Sequence, residues 1–540
     1  MDSVEDLLKR LQQLNDIGAS LSRERDITRL LETILLAAKT ITNADGGTLY
    51  RMMDDGKSLR FEILRTDSLN IAMGGTSGVA IDFPNLPLQD DKGAPNDSLV
   101  AAYAAIHSQT VNIADAYTEA SFDFSGTRHF DEGTGYRSQS LLAVPMKDHE
   151  GEVIGVLQLI NAQRHGSRDV VPFSSADQSL AESLASQAAI ALSSRLLMTQ
   201  LEELFESFIS LINLAIDEKS PYTGGHCQRV PVLTMLLAEA VNDTTDGPLA
   251  SFRMTDRDRY ELKIAGLLHD CGKVTTPVHV VDKATKLHTL FDRIELVDTR
   301  FEVLKRDREI EALRRQLALR AQLDAQAEGR IARECREKID ALDKDREFIR
   351  AANHGVESMA EDAINRVREI GRQHTWRSVS GIETDFLTAD EVENLTIRAG
   401  TLTLSERNVI NHHIVATIKM LEQLPWPKHL HNVPEYAGGH HERMDGKGYP
   451  KGLTRDQMSV QARTMGIADI FEALTAKDRP YKPGMKLSQA MGIMNKFKLN
   501  GHIDPDLFDI FVSKGVYQSY AERFLDPWQI DEVNPVDWQR

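Results

Sequence analysis

The sequence predicts a multidomain chain: an α+β unit built on an antiparallel sheet, a joining helix, and an all-α unit that carries a long helical insertion. Three observations predict this. Short alternating apolar runs, broken by Gly, Asp and Pro clusters, fill residues 46–160, which is the texture of antiparallel strands. Helical periodicity takes over from residue 174. From about Leu287 to Ile397 the chain is dense in charge of both signs and has little Gly or Pro until Gly371, as long solvated helices have. At 540 residues the chain is too long for one core; about 150 residues per domain implies three or four units.

The elements follow in order. Leu7, Leu11, Leu14 and Leu21 share one face of a helix over 3–22, and a second helix covers 27–42. The runs Gly47–Met52 and Leu59–Leu64 read as strands. Leu141–Val144 and Val153–Ile160 form a hairpin around the polar turn Asp148-His149-Glu150-Gly151. Residues 174–218 are helical. Within them Leu197, Leu201, Leu204, Phe208, Leu211 and Ala215 follow the 4-3-4-3-4 spacing of a coiled-coil seam; the row either packs this helix onto its own domain or pairs two copies as a signalling helix, which would imply a homodimer. Residues 203–285 and 396–540 are helix-rich. Between them, Ile310, Leu313 and Leu317 share one face, as do Ile331, Cys335, Ile339, Leu342 and Ile349; a helical hairpin turning near 324–329 accounts for both stripes.

Composition narrows the function classes. A net charge of −18 argues against binding a nucleic acid polymer through a broad basic face, while a local cationic pocket can still hold a small anion. Cys227, Cys271 and Cys335 are odd in number and widely spaced, which fits a reducing compartment. No apolar run reaches the roughly 18–20 residues of a membrane span, and Met1–Lys9 has no signal-peptide core. The expectation is a cytoplasmic protein.

The segments "LLAVPMKDHEGEVIGVLQLINAQ" and "PFSSADQSLAESLASQAAIAL", with the helix–sheet–helix order around them, resemble a GAF domain over about 20–195. The resemblance implies a sensor for a small ligand of unknown identity, and the alternative is a sheet that serves dimerisation. Asn161, Phe173 and Asp177 match a signature of GAF domains that bind cyclic nucleotides; Ala162 and Gln178 depart from it and weigh against such a ligand.

The chemistry-bearing residues lie in five separated motifs: His226 in "KSPYTGGHCQRV", His269-Asp270 in "AGLLHDCGKV", His413 in "LTLSERNVINHHIVA", His440-His441 in "GGHHERMDGKGYP", and Asp469 in "RTMGIADIFEALTAKDRPYK". Imidazoles and carboxylates together suit a divalent transition metal, which commonly activates water. Singly, any of these histidines reads as an ordinary packed or surface residue; their joint order is what points to a metal.

In that order the motifs resemble the HD-GYP family of the HD phosphohydrolase superfamily, over 205–285 and 396–525. The resemblance implies an all-helical fold and hydrolysis of cyclic di-GMP to pGpG and/or GMP through a metal-bridging hydroxide. It assigns His226, His269, Asp270, His413, His440, His441 and Asp469 as metal ligands, with Asp270 the bridge and Asp270 and Lys273 catalytic. Lys273, Arg479 and Lys482 correspond to residues that hold substrate phosphates. Tyr222 stands where some members carry a glutamate for a third metal, so two ions are expected, iron or manganese by donor set. His413 is preferred to His412 by spacing, and His429, His431 and His502 are expected outside the site. Cys227 and Cys271 are expected to pack rather than react. The Gly448-Tyr449-Pro450 loop either shapes the site or docks a partner such as a diguanylate cyclase or an adaptor.

The expected organisation is a helix over 1–22, a GAF domain over 23–195, a linker or coiled-coil helix over 196–218, and an HD-GYP domain in two parts, 203–285 and 397–540, split by a helical insertion over 286–396. The insertion separates His269 from His413 by far more than the family does, and its ends should lie close together. Residues 287–304 echo the spacing around His413 and would put Asp298 in its place, an alternative disfavoured by the interval from His413 to His440. Two other functional readings stand beside the first: a phosphohydrolase acting on a different cyclic nucleotide, and a non-catalytic scaffold that senses metal or redox state.

Overall fold

The computed structural model describes residues 4–534 except 25, 91, 165, 220–224, 320–324, 357 and 478–483, with the side chains of 4–9 also outside the description. The chain divides into two compact units, 1–205 and 206–540.

The first unit opens with α1 (Val4–Leu21) and α2 (Ile27–Thr42), the latter capped by Asp26. An antiparallel sheet follows: β1 (Ala44–Met52), β2 (Ser58–Thr66), β3 (Ile71–Gly74), β4 (Leu86–Pro87), β5 (Val111–Ile113), β6 (Leu141–Lys147), β7 (Val153–Gln163) and β8 (Val170–Val171). Its strand order is β3-β2-β1-β7-β6-β5, with β4 added to β2 and β8 to β7. Helices α3 (Val100–His107) and α4 (Ser125–Thr134) interrupt the strands. Because side chains alternate across a sheet, the strands β1, β2, β6 and β7 feed two cores. Leu49, Leu142, Val144, Leu157 and Leu159 pack against α1, α2 and the start of α5 (Ser175–Lys219). Tyr50, Leu141, Ala143 and Val156 pack against α3 on the opposite face.

The second unit is helical: α6 (His226–Asn242), α7 (Asp256–Leu268), α8 (Val278–Val281), α9 (Ile294–Ala318), α10 (Ala325–Asn353), α11 (Glu361–Gln373), α12 (Ala389–Leu395), α13 (Leu404–Leu421), α14 (Val433–Gly438), α15 (Val460–Thr475), α16 (Leu487–Leu499), α17 (Pro505–Ser513) and α18 (Val516–Phe524). α6 packs on α7 and α15, and α13 on the 3-10 turn Cys271–Thr275. Reciprocal capping boxes, Thr255 with Asp258 and Thr403 with Glu406, fix where α7 and α13 begin.

Residues 287–395 build a core of their own from Val297, Phe301, Leu342, Ile349, Val367 and Phe386. A short hairpin, β9 (Thr375–Arg377) with β10 (Glu383–Asp385), belongs to this part and was not expected from the sequence. The entry and exit of the segment meet: the Lys286 ammonium donates to Leu395 O at 3.1 Å, and the Thr401 hydroxyl donates to Lys283 O at 2.9 Å. The hairpin turn expected near 324–329 falls partly outside the described residues. Residues 325–329 are already the first turn of α10, and 320–324 lie outside the described residues. Gly329 is exposed, and the helix tolerates it. Asp298 lies on α9 and pairs with Arg350 at 2.9 Å, away from the histidine motifs.

Candidate metal centre

The five motifs converge. His226 is the first residue of α6, His269 ends α7, and Asp270 follows it ahead of the 3-10 turn. His413 lies mid-way along α13, His440 and His441 follow α14, and Asp469 lies on α15. His269, Asp270, His413 and His440 are buried. Donor atoms of His226, His269 and Asp270 gather in one group, and those of His413, His440 and His441 in another, each within 4.8 Å.

Asp270 touches both groups. Its Oδ2 lies 3.2 Å from His226 Nε2 and 3.2 Å from His269 Nε2, while its Oδ1 lies 3.2 Å from His413 Nε2. Asp469 Oδ1 is 3.1 Å from His226 Nε2. Lys273 reaches Asp270 Oδ2 at 2.6 Å. His412, by contrast, is exposed, and His502 stacks on Phe497 outside the cluster. Arg479, Lys482 and Tyr222 lie outside the described residues.

The histidine tautomers follow from their outer partners. Nδ1 of His269, His413 and His440 faces a backbone carbonyl, of Gly266 at 2.7 Å, Ile410 at 2.5 Å and Ala437 at 2.6 Å. A carbonyl only accepts, so each Nδ1 carries a proton and each Nε2 is the atom turned towards the cluster and available to a metal. Nε2 of His226, His269 and His440 and Oδ1 of Asp270 are buried without hydrogen-bond partners among the described residues. Buried lone pairs converging beside two carboxylates repel one another unless a cation lies between them. The donor set therefore fits divalent metal ions.

Electrostatics divide the cluster: against burial, Glu472, Asp270 and Asp469 raise His226 well above its ordinary value, so a metal must displace its proton, while His440 and His441 go the other way. Burial, then His441 and His269, press His440 well below its ordinary value, and burial pushes His441 down to about 4. Both imidazoles are thus free bases, the form that binds metal. Asp270 resists burial because Lys273 and His269 hold its carboxyl far below the usual range. Burial lifts the Cys227 thiol to about 12 and Cys271 to about 11, so neither offers a thiolate at neutral pH.

Four supporting contacts could not be placed from the sequence. Glu472, fully buried on α15, accepts the Nδ1 proton of His226 and takes Arg229 Nε at 2.7 Å. Its only prior signal was the i, i+3 spacing from Asp469, which puts both on one helix face. Glu442 accepts the backbone N–H groups of Lys451 at 2.7 Å and Leu453 at 2.9 Å, and Tyr449 stacks on His441 with ring centres 4.9 Å apart. The Gly448-Tyr449-Pro450 loop is thereby joined to the cluster. Lys219, the last residue of α5, donates to the carbonyls of Lys273, at 3.3 Å, and Val274. Glu472→Gln keeps the shape but weakens the orienting hydrogen bond; titration calorimetry with Mn²⁺ should show affinity falling by about 10- to 100-fold.

Comparison with known proteins agrees with this layout. Residues 26–192 match the GAF domain family, and two HD domain families match 223–352 and 387–507. The chain thus joins an N-terminal GAF domain to HD domains, and the two HD matches are both needed to contain the donor set. It is similar to a 3'3'-cGAMP-specific phosphodiesterase of Vibrio cholerae, 36% identical over 27% of this chain and 33% of that protein. It is also similar to a cyclic di-GMP phosphodiesterase of Pseudomonas aeruginosa, 37% identical over 22% of this chain and 28% of that protein. The matched stretches span a third or less of those relatives' lengths. A solved GAF domain from an Acinetobacter phosphoenolpyruvate-protein phosphotransferase, 15% identical, covers 37% of this chain and 99% of that chain at a TM-score of 0.27, too low to bear on the argument.

Proposed function

We propose that this chain is a metal-dependent phosphodiesterase that hydrolyses cyclic di-GMP to pGpG and/or GMP under the control of its GAF domain. The observation that carries the reading is Asp270, one carboxylate shared by two groups of histidines, in a chain whose relatives are named for cyclic dinucleotides. His226, His269, Asp270 and Asp469 would hold one ion. His413, His440 and His441, with the other Asp270 oxygen, would hold a second, iron or manganese by donor type. Such ions acidify water and neutralise charge on a phosphoryl group.

The protein's own residues supply the rest. Lys273, kept charged by Asp270 and Asp469 against its burial, is a fixed cation at the cluster and the residue we assign to the scissile phosphate. A local cation of this kind lets an acidic chain accept a dianionic ligand. We assign Arg479 and Lys482 to the substrate's phosphates. Tyr449, stacked on His441, stiffens one wall, and we keep its loop as the surface for a diguanylate cyclase or adaptor partner.

The test is product chromatography with metal-loaded protein on cyclic di-GMP and 3'3'-cGAMP. Hydrolysis of cyclic di-GMP to linear products is expected. Preference for 3'3'-cGAMP, the activity named for one relative, would move the substrate and leave the chemistry. Turnover of neither would sink the reading.

We further propose a homodimer through α5. Its Leu197, Leu201, Leu204, Phe208 and Leu211 are 53–66% exposed at heptad spacing, while Ile209 and Ile216 on the other face are buried. An apolar row of that period pairs with a copy of itself. Replacing Leu204 and Phe208 together with Glu should turn a dimer into a monomer in sedimentation velocity. No described helix is long and apolar enough to cross a membrane. We place the enzyme in the cytoplasm, as its three free cysteines suggest.

A further inference from the structure

The GAF domain encloses a cavity of about 590 Å³ on the α3–α4 side of its sheet, within the roughly 300–1,000 Å³ range of small-molecule sites. Its walls are aromatic: Tyr50, Phe61, Phe83, Phe124, Phe130 and Tyr136. Such walls favour a flat ring held by stacking and edge contacts.

Charge decides what the ring may carry. Among the described residues that line the cavity there is no lysine or arginine. The other receptor for a phosphate is a helix N-terminus, and α4 begins at this cavity. That position is already taken: Asp123 accepts the Ser125 N–H at 2.8 Å, so a carboxylate sits where a phosphate would go. His129 is the one described residue of the lining that can carry a positive charge.

The sheet side of the lining carries Thr48, Thr66 and Gln158 among apolar and aromatic residues. Thr48 on β1 and Gln158 on β7 are register partners, and both line the cavity. The Gln158 amide makes no hydrogen bond with another described residue. It offers a donor and an acceptor side by side, the complement of a ring edge that presents an acceptor beside a donor. The residues matching the cyclic-nucleotide signature are used elsewhere. Asn161 accepts from Gln139 N–H at 2.7 Å and donates to Arg137 O at 2.8 Å. Asp177 pairs with Arg10 at 3.0 Å, and Phe173 sits in the core on the opposite face of the sheet.

We propose that this cavity binds an uncharged, flat heteroaromatic molecule whose hydrogen-bonding edge is read by Gln158, and that it rejects cyclic nucleotides. The proposal rests on the reading of the GAF domain as a ligand sensor, and its test needs no hydrolysis assay, so it fails or stands apart from the proposed activity. Lumichrome, a fluorescent uncharged heterocycle, serves as the probe on the full-length protein. Saturable quenching is expected. Gln158→Leu and Thr48→Val, close in size to the native residues, should each weaken it by about tenfold, the loss of one hydrogen bond, with the circular dichroism melt unchanged. Hypoxanthine should compete, and cGMP and cAMP should not. Absence of saturable quenching, displacement of lumichrome by cGMP or cAMP, or binding untouched in both variants would each overturn the proposal.

Discussion

Asp270→Asn should abolish turnover and empty the metal centre while leaving the shape of the side chain in place. Hydrolysis is expected to fall by more than about a thousandfold, roughly 4 kcal/mol on the barrier. Metal content, measured by plasma emission on the purified protein, should fall with it. The reasoning is geometric. Asp270 is the carboxylate that lies against His226 and His269 with one oxygen and His413 with the other, each at 3.2 Å. Asparagine offers a neutral acceptor on one side and a donor on the other. One metal group then faces an N–H where it needs a lone pair, and Lys273 loses the anion it sits 2.6 Å from. Asp270→Ala should match Asp270→Asn in turnover. A large gap between them would mean that packing, and not charge, is what Asp270 supplies. Retention of both metals and of activity in either variant would refute the centre as drawn.

The sheet-then-helix order, the hairpin around 148–151 and the long helix through residue 200 were readable because each rests on local periodicity over many residues. The residues that converge were readable one motif at a time, since adjacent histidines and aspartates are costly inside a fold without a ligand. What stayed hidden is of another kind. Glu472 lies on a helix where a glutamate is ordinarily a solvated residue; only the packing of α15 on α6 brings it to His226, far away along the chain. The core within 287–395 was masked by its charge density. Part of that charge is buried: Arg300 pairs with Glu391 between helices, an arrangement that a stripe-based reading scores as surface. The hairpin turn could be bounded only roughly, because a helical stripe marks a face and not an end; Gly329 lies inside α10, where a lone exposed glycine costs a helix only about 1 kcal/mol.

That contrast between glycines gives the second large effect. Gly272→Ala should damage the centre from behind, while Gly329→Ala should stabilise the protein slightly. A Cβ at position 272 would lie 2.0 Å from the His413 carbonyl oxygen and 2.6 Å from the Thr417 backbone nitrogen. Those atoms belong to α13, so no side-chain rotation relieves the clash, and the helix must retreat by roughly 1.5 Å to restore van der Waals contact. Retreat stretches the hydrogen bond from Gly272 N–H to the Thr417 hydroxyl, now 2.9 Å. It is also resisted at the other end of the helix, where the buried Lys283 holds Glu406 of the α13 capping box at 2.7 Å. Overpacking of this sort costs about 1–3 kcal/mol. The larger consequence is functional, because α13 carries His413 away from Asp270, and a 1 Å misplacement can cost about a hundredfold in rate. At position 329 an added Cβ meets nothing within 4 Å, so alanine gains only its helix propensity, about 1 kcal/mol. Thermal melts of the metal-free variants should therefore move in opposite directions, with Mn²⁺ affinity reduced in Gly272→Ala alone. If Gly272→Ala binds metal and turns over as the native chain does, α13 is not held against the turn at Cys271–Thr275, and His413 and Asp270 do not share a centre.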